Sequence, residues 1–171
     1  MQKRLYRDSD HSEIAQSLNN LAANYTILGD YHKSKEYYSE AYEMRKRLYK
    51  DIDHAEIAQS LNSLAVFYTF LGDVQKAIEY DLKALEMRKR LFKDLDHFEK
   101  AESINNLVSS YEEVGDYQKS KDFYLQAYNM RKRLYKDSDH FEIAQSLNNL
   151  ANIFSRLDDF EKALNYKLEA Y

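Results

Sequence analysis

The chain contains no cysteine and no proline, and only three of its 171 residues are glycine. The lack of cysteine excludes disulfides, thiolate catalysis and zinc sites with sulfur ligands. Because proline is absent, helix-forming residues run almost without interruption, and Gly29, Gly72 and Gly115 stand out as breaks. These three glycines recur at a constant spacing of 43 residues.

Long apolar runs and an excess of positive charge are also missing. No segment approaches the roughly 18 apolar residues of a membrane span, and the opening MQKRLYRDSD lacks the apolar core of a signal peptide. The formal net charge of −4 argues against a general nucleic-acid binder and against binding to anionic membranes. We therefore expect a soluble, cytoplasmic protein with neither nucleic acid nor membrane as a partner.

What the chain has is repetition. EIAQSLNNLA occupies 13–22 and 142–151, EIAQSLNSLA occupies 56–65, and the looser KAESINNLVS occupies 100–109. MRKRLYKD at 44–51 recurs at 130–137, as MRKRLFKD at 87–94 and as MQKRLYRD at 1–8. A fixed period of 20 to 50 residues is typical of a solenoid, whose units cannot bury their apolar faces alone.

Each repeat reads as two helices joined at the glycine. The first has apolar residues at spacings of three and four, and so does the second after the Gly29-Asp30 turn. The two predicted packing stripes are Ile14, Leu18, Leu21, Ala22, Tyr25 and Leu28, then Ser34, Tyr37, Tyr38, Ala41, Met44 and Leu48. The sequence predicts one array cut from a longer one: the end of a second helix and a linker (1–10), hairpins 11–53, 54–96 and 97–139, and a partial hairpin 140–171.

The linkers carry an Asp-x-Asp-His pattern that admits two interpretations. The second aspartate precedes a glutamate by three residues, which is a capping-box-like arrangement at a helix start. Carboxylates beside imidazoles are also metal ligands, but the capping role already explains the second aspartate, and we expect no metal site. The residues concerned are Asp51, Asp53 and His54, Asp94, Asp96 and His97, and Asp137, Asp139 and His140, with Asp10 as the first of the four predicted caps.

Two other recurring features have ordinary structural explanations. The MRKR segment ends each second helix, where cations favour the negative pole of the helix dipole, so we interpret it as a solvated face rather than a phosphate-binding edge. Most of the 16 tyrosines fall on the packing stripes. Apart from His32, the histidines lie at equivalent linker positions without a paired nucleophile or phosphate loop, so we expect no enzyme, no catalytic residue and no cofactor.

The spacing Leu18-x2-Leu21-Ala22-x2-Tyr25, followed by Ser34-x3-Tyr38 and Ala41, resembles the tetratricopeptide repeat (TPR). SLNNLA, the YxxLGDY turn and the DxDH linker are similar to the kinesin light chain and nephrocystin-3-like branch, whose repeats are longer than the usual 34 residues. The resemblance implies an all-α, right-handed solenoid of antiparallel hairpins with the first helices facing a concave groove that binds a peptide. Four kinds of residue depart from the pattern. Asp81 and Lys167 replace the aromatic residue of the second helix, and Asp158 replaces the turn glycine. In the first helix of the third repeat, Lys100 replaces the first apolar residue and Val108 replaces the small residue.

Beside the packing stripe of the first helices lies a row of asparagines: Asn19, Asn62, Asn105 and Asn148. An amide offers both a donor and an acceptor, so this row predicts contacts with the main chain of a peptide. The alternative is that these asparagines pack and hydrogen-bond to neighbouring helices.

The residues around this row differ between repeats and are predicted to set selectivity. The first half is apolar and the third repeat acidic, which favours a partner with a hydrophobic anchor followed by basic residues. The candidates are Gln16, Gln59, Ile27, Val66, Phe70, Glu112, Glu113 and Arg156. We predict a scaffold that binds a peptide or a partner protein. The alternatives are a structural spacer, a solenoid that self-assembles through its uncapped ends, or a regulatory module of a larger protein.

Overall fold

The computed structural model describes residues 10–93, 95–136 and 140–171. Within these ranges all regular structure is helical, which confirms the all-α prediction, and the helices form successive hairpins. The opening 1–8 segment, Asp94, Asp137 and the predicted cap Asp139 lie outside the described residues. The helices are α1 (Ser12–Ile27), α2 (Tyr31–Leu48), α3 (Ala55–Phe70), α4 (Val74–Phe92), α5 (Phe98–Glu113), α6 (Tyr117–Tyr135), α7 (Phe141–Arg156) and α8 (Phe160–Glu169).

The chain divides into two compact units, Met1–Leu91 and Phe92–Tyr171. The first unit contains the α1–α2 hairpin and the α3–α4 hairpin except for Phe92, the last residue of α4. One of its apolar clusters joins Ala22, Tyr38, Leu64, Phe67, Tyr68 and Ala77. The second unit contains the α5–α6 and α7–α8 hairpins, and its cluster joins Tyr128, Leu147, Leu150, Ile153, Phe154 and Ala163. In both units helices of consecutive hairpins share one core, as a repeat architecture requires.

The hairpin tips share one design. Gly29 has φ of +79°, a left-handed conformation that glycine adopts without steric cost at a helix end. Asp30 then caps α2 by accepting a hydrogen bond from the Lys33 backbone N–H, and the Lys33 ammonium lies 5.1 Å from the centre of the Tyr25 ring. The fourth tip has Asp158 in place of glycine, also at a positive φ of 59°. The corresponding lysine contacts elsewhere are Lys76 over Tyr68, Lys119 over Tyr111 and Lys162 over Phe154.

The prediction that the second linker aspartate caps the following helix is wrong for Asp10, Asp53 and Asp96. The N-cap is the next residue, and at His54 the imidazole Nδ1 accepts a hydrogen bond from the Glu56 N–H at 3.2 Å. The His54 ring also stacks on Tyr49 with centroids 3.5 Å apart. An aromatic ring that can both stack and accept a hydrogen bond fits here better than a carboxylate. His97 and His140 repeat the cap and the stack, on Phe92 and Tyr135, and His11 is the N-cap of α1.

The interpretation of MRKR as a solvated face is wrong for its first arginine. Arg45 is 1% exposed, and its guanidinium donates to Ser60 Oγ at 2.8 Å, to the Glu56 carbonyl at 3.1 Å and to Gln16 Oε1 at 3.0 Å. Buried guanidinium groups require such partners, and Arg45 obtains them from both α1 and α3. Arg88 and Arg131 are buried in the same position of their repeats.

Two members of the predicted packing stripe are exposed instead. Leu28 follows α1 at the hairpin tip and is 76% exposed. Leu21 is 43% exposed, whereas its equivalents Leu64 and Leu107 are buried. Leu64 packs in a cluster with Ala22 and Tyr38 of the preceding hairpin, and α1 has no preceding hairpin among the described residues. None of the helices in the described ranges has the length and apolar character that crossing a membrane demands.

Candidate peptide-binding surface

In the first unit, α1 and α3 carry apolar side chains on their solvent-exposed sides. Ile27 is 79% exposed, Val66 59% and Phe70 57%. Phe70 lies next to Tyr31 at the start of α2, with ring centroids 6.0 Å apart. The three predicted apolar contact residues are therefore open to solvent. We refer to Ile27, Val66, Phe70 and Tyr31 as the apolar patch of the first unit.

The asparagines of the first unit have different surroundings. Asn62 is buried, its Nδ2 donates to Asp81 Oδ1 at 2.8 Å, and its Oδ1 accepts from the Arg88 guanidinium. Asn19 is equally buried at 6% exposure, but no donor among the described residues reaches its Oδ1. A buried carbonyl oxygen without a donor is unfavourable, and this distinguishes the Asn19 amide from that of Asn62.

The two glutamines predicted beside this row are exposed on the same stripe. Gln16 is engaged within the chain, because its Oε1 accepts from Arg45 and its Nε2 donates to Asn20 Oδ1 at 3.2 Å. Gln16 thus helps to hold the buried arginine, a role that its exposed position on the helical stripe does not suggest.

In the second unit the equivalent surface is charged. Arg156 replaces the aromatic ring of Phe70, and its guanidinium lies 5.4 Å from the centre of the Tyr117 ring, with a hydrogen bond to the Tyr117 hydroxyl at 3.3 Å. The Arg156–Tyr117 contact thus occupies the position of the Phe70–Tyr31 contact in the first unit. A cation on an aromatic face keeps this contact while replacing the apolar surface with charge.

Glu112 and Glu113 lie at the end of α5. Glu113 is exposed, whereas Glu112 is half-buried. Burial raises the pKa of Glu112, and the opposing effect of Arg156 only partly offsets it. Burial, with a smaller contribution from Glu112, raises the pKa of the Tyr124 hydroxyl to about 12. The Glu112 carboxylate therefore sits in a setting that disfavours its charge and would be improved by a further cation.

The asparagines of the second unit show the same division as those of the first. Asn148 donates from Nδ2 to the Ala144 carbonyl at 3.0 Å and accepts at Oδ1 from the Lys167 ammonium at 2.9 Å. Asn105 is half-buried, and no described donor reaches its buried Oδ1.

Sequence reasoning missed the residues that hold Asn62 and Asn148. Asp81 and Lys167 were recognised only as departures from an aromatic position. The available signal was their spacing: each follows its asparagine by 19 residues, the separation at which the two helices of one hairpin face each other. No three histidine, aspartate or glutamate side chains within the described ranges converge as a metal site would require.

The sequence pattern of the tetratricopeptide repeat matches residues 13–90, 56–133 and 99–171, which together cover nearly the whole chain. The chain belongs to the tetratricopeptide repeat family. The resemblance seen in the sequence is thereby confirmed. No curated protein matches the chain in sequence.

Solved tetratricopeptide structures share this fold. BtubC (BKLC) from P. vanneervenii superposes with a TM-score of 0.77 at 23% identity, over 91% of this chain and 61% of that one. The kinesin light chain TPR-like repeats of Podosopora anserina superpose with a TM-score of 0.78 at 18% identity, over 94% of this chain and 75% of that one. A signal transduction ATPase with a tetratricopeptide repeat sensor from Pyrococcus horikoshii gives 0.73 at 21% identity, over 91% of this chain and 23% of that one. The chain thus spans about three-fifths of the length of BtubC.

Proposed function

We propose that the chain is a protein-interaction module, without catalytic activity of its own, that binds a peptide segment or the surface of a partner protein along the first helices of its hairpins. The observation that carries this proposal is the apolar patch of the first unit. Ile27, Val66 and Phe70 expose most of their side chains although they belong to helices whose other faces are well buried. Large apolar side chains left exposed on helices of a folded protein, here with Phe70 in contact with Tyr31, are typical of an interaction site.

The charged surface of the second unit supports the same proposal and indicates the chemistry of the partner. Glu102 and Glu113 are exposed on α5, and Glu112 is half-buried beside them. A lysine or arginine of a partner would complement α5, and an aliphatic or aromatic side chain would complement the apolar patch of the first unit. Such complementarity contributes mainly to selectivity and to the rate of association.

Selection of random peptides on the purified chain tests the proposal. We expect the recovered peptides to be enriched in an apolar residue and in lysine or arginine. Phe70→Ala should weaken binding of a recovered peptide about tenfold, because half of a phenylalanine side chain loses its apolar contact. Isothermal titration calorimetry measures this difference.

Leu164→Ala is the matched control. The Leu164 side chain is 60% exposed, a fraction similar to that of Phe70, but Leu164 lies on the second helix of its hairpin. We expect it to leave peptide affinity unchanged. Equal losses in the two variants, or no loss in Phe70→Ala, would place the binding surface elsewhere.

A second candidate function is that of a sensor module within a longer protein. The superposition on a signal transduction ATPase that contains a tetratricopeptide repeat sensor favours it, since this chain spans 23% of that protein. The recognition surface would be the same, and the output would come from an attached domain. Expression of the full-length protein with and without a selected peptide, with the attached domain's activity as the readout, tests this candidate.

A further inference from the structure

The first helices of the first unit carry no charge beyond their first turn. Residues 14–27 of α1 and 57–70 of α3 include no aspartate, glutamate, lysine, arginine or histidine. Charged residues make up 32% of the chain, so this absence is a property of these two helices and not of the overall composition. The side chains that α1 and α3 expose over these stretches are therefore apolar or uncharged.

The apolar patch of the first unit lies on this uncharged surface. Val66 and Phe70 are four residues apart on α3 and so share one side of that helix. On α1, Ile27 lies one turn after Ala23, which packs against the apolar cluster that joins the two hairpins. Tyr31 contacts Phe70 from the start of α2. Three helices of the first unit thus contribute to one uncharged surface.

The charges at the adjoining hairpin tips are paired within the chain. The Lys33 ammonium lies 3.0 Å from the Asp30 carboxylate at the first tip, and Lys76 and Asp73 form the equivalent ion pair at the second. A polar rim around a centre depleted of charge is typical of protein–protein interfaces.

The polar groups beside the patch already have hydrogen-bond partners. The hydroxyls of Thr26 and Thr69 donate to carbonyls of their own helices. Carbonyls near the helix ends accept from N–H groups of the tips. These carbonyls belong to Asn24, Tyr25 and Thr26 in α1 and to Phe67, Tyr68 and Thr69 in α3. An extended segment placed here would lose the water on its own N–H and C=O groups without gaining partners, whereas a helix satisfies these groups internally.

We propose that the apolar patch of the first unit binds a helix of a partner protein, through a helix face that has aliphatic or aromatic residues at spacings of three and four and no charge. The inference rests on the proposed function and names the partner of its apolar surface. A charged side chain on that face would give up its hydration without meeting an opposite charge, so the patch selects against it. The contact needs only the first unit, to which all of these residues belong.

Selection of helix-patterned peptides on the intact chain tests this inference. The library has a fixed helical background of about 18 residues, long enough for a stable turn count, in which positions i, i+3, i+4 and i+7 vary over all amino acids. We expect the recovered peptides to have aliphatic or aromatic residues at the varied positions and to lack aspartate, glutamate, lysine and arginine there. Their affinity should change by no more than about twofold between low and high salt, because no ion lies in the contact.

Variants of Val66 separate charge from size. Val66→Glu should weaken binding of a recovered peptide by at least about tenfold, since the carboxylate loses water under the helix. Val66→Gln, which has the same size without the charge, should weaken it by no more than about threefold. Isothermal titration calorimetry measures both, after circular dichroism has confirmed that the variants are folded.

Ile52→Glu is the matched control. Ile52 is 68% exposed and belongs to the same unit. It lies in the linker before α3, whose 16 residues place it about 24 Å from the tips. We expect this variant to bind the peptide as the unmodified chain does. A loss equal to that of Val66→Glu would move the contact away from the patch.

A charge reversal shows direct contact with the partner. Lysine is placed in turn at each of the four varied positions of one recovered peptide. At the position that faces residue 66, the lysine peptide should bind Val66→Glu more tightly than it binds the unmodified chain, because the two charges now pair. If none of the four lysine peptides shows this reversal, Val66 does not contact the helix.

A proline in the peptide shows whether the partner is helical. Placed in the middle of the peptide at a solvent-facing position, it keeps the contact side chains but breaks the helix. Affinity should fall about a hundredfold. Unchanged affinity would mean that the peptide binds in an extended conformation, and the inference would be wrong.

Failure of the inference differs from failure of the proposed function. If random peptides bind and depend on Phe70, but no helix-patterned peptide is recovered or charged residues are recovered at the four positions, the helical partner is wrong and the binding surface stands. If neither library yields a peptide that depends on Phe70, the proposed function fails as well.

Two other occupants of the patch are tested with the chain alone. Self-association in sedimentation over a concentration series, abolished by Val66→Glu, would make the patch an interface between copies of this chain. Binding to phosphatidylcholine vesicles, abolished by the same substitution, would make it a lipid contact. Either result would overturn the inference.

Discussion

Arg47 donates two parallel hydrogen bonds to the carboxylate of Asp10, from Nε at 2.9 Å and from Nη2 at 2.8 Å. The pair joins the last turn of α2 to the residue before the His11 N-cap of α1 and so closes the base of the first hairpin. Arg90 with Asp53 and Arg133 with Asp96 repeat this bidentate geometry at the same separation of 37 residues. Two residues before Arg47, Arg45 is buried and joins the first hairpin to the second. Two arginines of one segment, separated by Lys46, thus act within a hairpin and between hairpins.

This division predicts a contrast in stability between two neighbouring substitutions. Arg45→Ala leaves the Glu56 carbonyl and the Ser60 hydroxyl without their buried donor and should lower the free energy of unfolding by about 3 kcal/mol. Arg47→Ala removes an exposed pair and should cost no more than about 1 kcal/mol. Urea unfolding followed by circular dichroism measures both. Similar losses in the two variants would contradict the assignment of Arg45 to the interior.

The exposed pairs should make stability depend on pH in acid. The hydrogen bond from Arg90 lowers the pKa of Asp53 from its ordinary value of 3.8. Because the pKa is lowered, the pair stabilises the folded chain at any pH above the ordinary pKa. This stabilisation is lost as the pH falls through the folded-state pKa.

Asp53→Asn should therefore reduce stability at neutral pH, by at most about 1 kcal/mol, and the difference from the unmodified chain should vanish in acid. High salt should reduce it as well. Thermal unfolding over a pH series checks this, and a difference that grows as the pH falls would have the wrong sign.

Glu112 should behave in the opposite way. Burial raises its pKa in the folded chain, so protonation favours folding: the stability is fully present below the unfolded-state pKa and is lost as the pH rises through the raised value. Glu112→Gln should accordingly be more stable than the unmodified chain at neutral pH and equally stable in acid. Glu113→Gln, which removes the same charge from an exposed neighbour, is the control. Thermal midpoints at neutral and acidic pH decide the point.

Asp158 occupies a turn that favours glycine. Its φ is 59°, and the equivalent Gly29, Gly72 and Gly115 have φ between 76° and 79°. Asp158→Gly should stabilise the fourth hairpin by about 1 kcal/mol, because a side chain in this conformation is strained. The converse change, Gly72→Ala, meets no atom within 4 Å and should destabilise through the backbone alone. Thermal unfolding of the two variants should shift in opposite directions.

The repeat period determined most of what could be predicted about the fold, because 43-residue self-similarity and three-to-four spacing depend on local sequence. The burial of Arg45 was missed although it continues the spacing of Tyr38 and Ala41. A charged residue is ordinarily assigned to solvent, and its partners Glu56 and Ser60 belong to another hairpin. The capping role of His54 was missed because it depends on stacking against Tyr49, which only the linker conformation brings into contact.

The candidate surface was predictable in part. The apolar stripe could be read from helical spacing, and Ile27, Val66 and Phe70 are indeed exposed. The state of the asparagines could not be read in this way, since it depends on which residue of the second helix faces each amide. The row remains a prediction as a binding site.

The partners of Arg45 have equivalents at every later repeat, with Glu99 and Glu142 at the position of Glu56 and Ser103 and Ser146 at the position of Ser60. Removal of one complete 43-residue period would therefore present Arg45 with the same acceptors from the following hairpin, and duplication of a period would do likewise. Unequal recombination can therefore change the number of hairpins without requiring a new contact between them. Arrays of different length can arise while the same arginine contact joins each hairpin to the next.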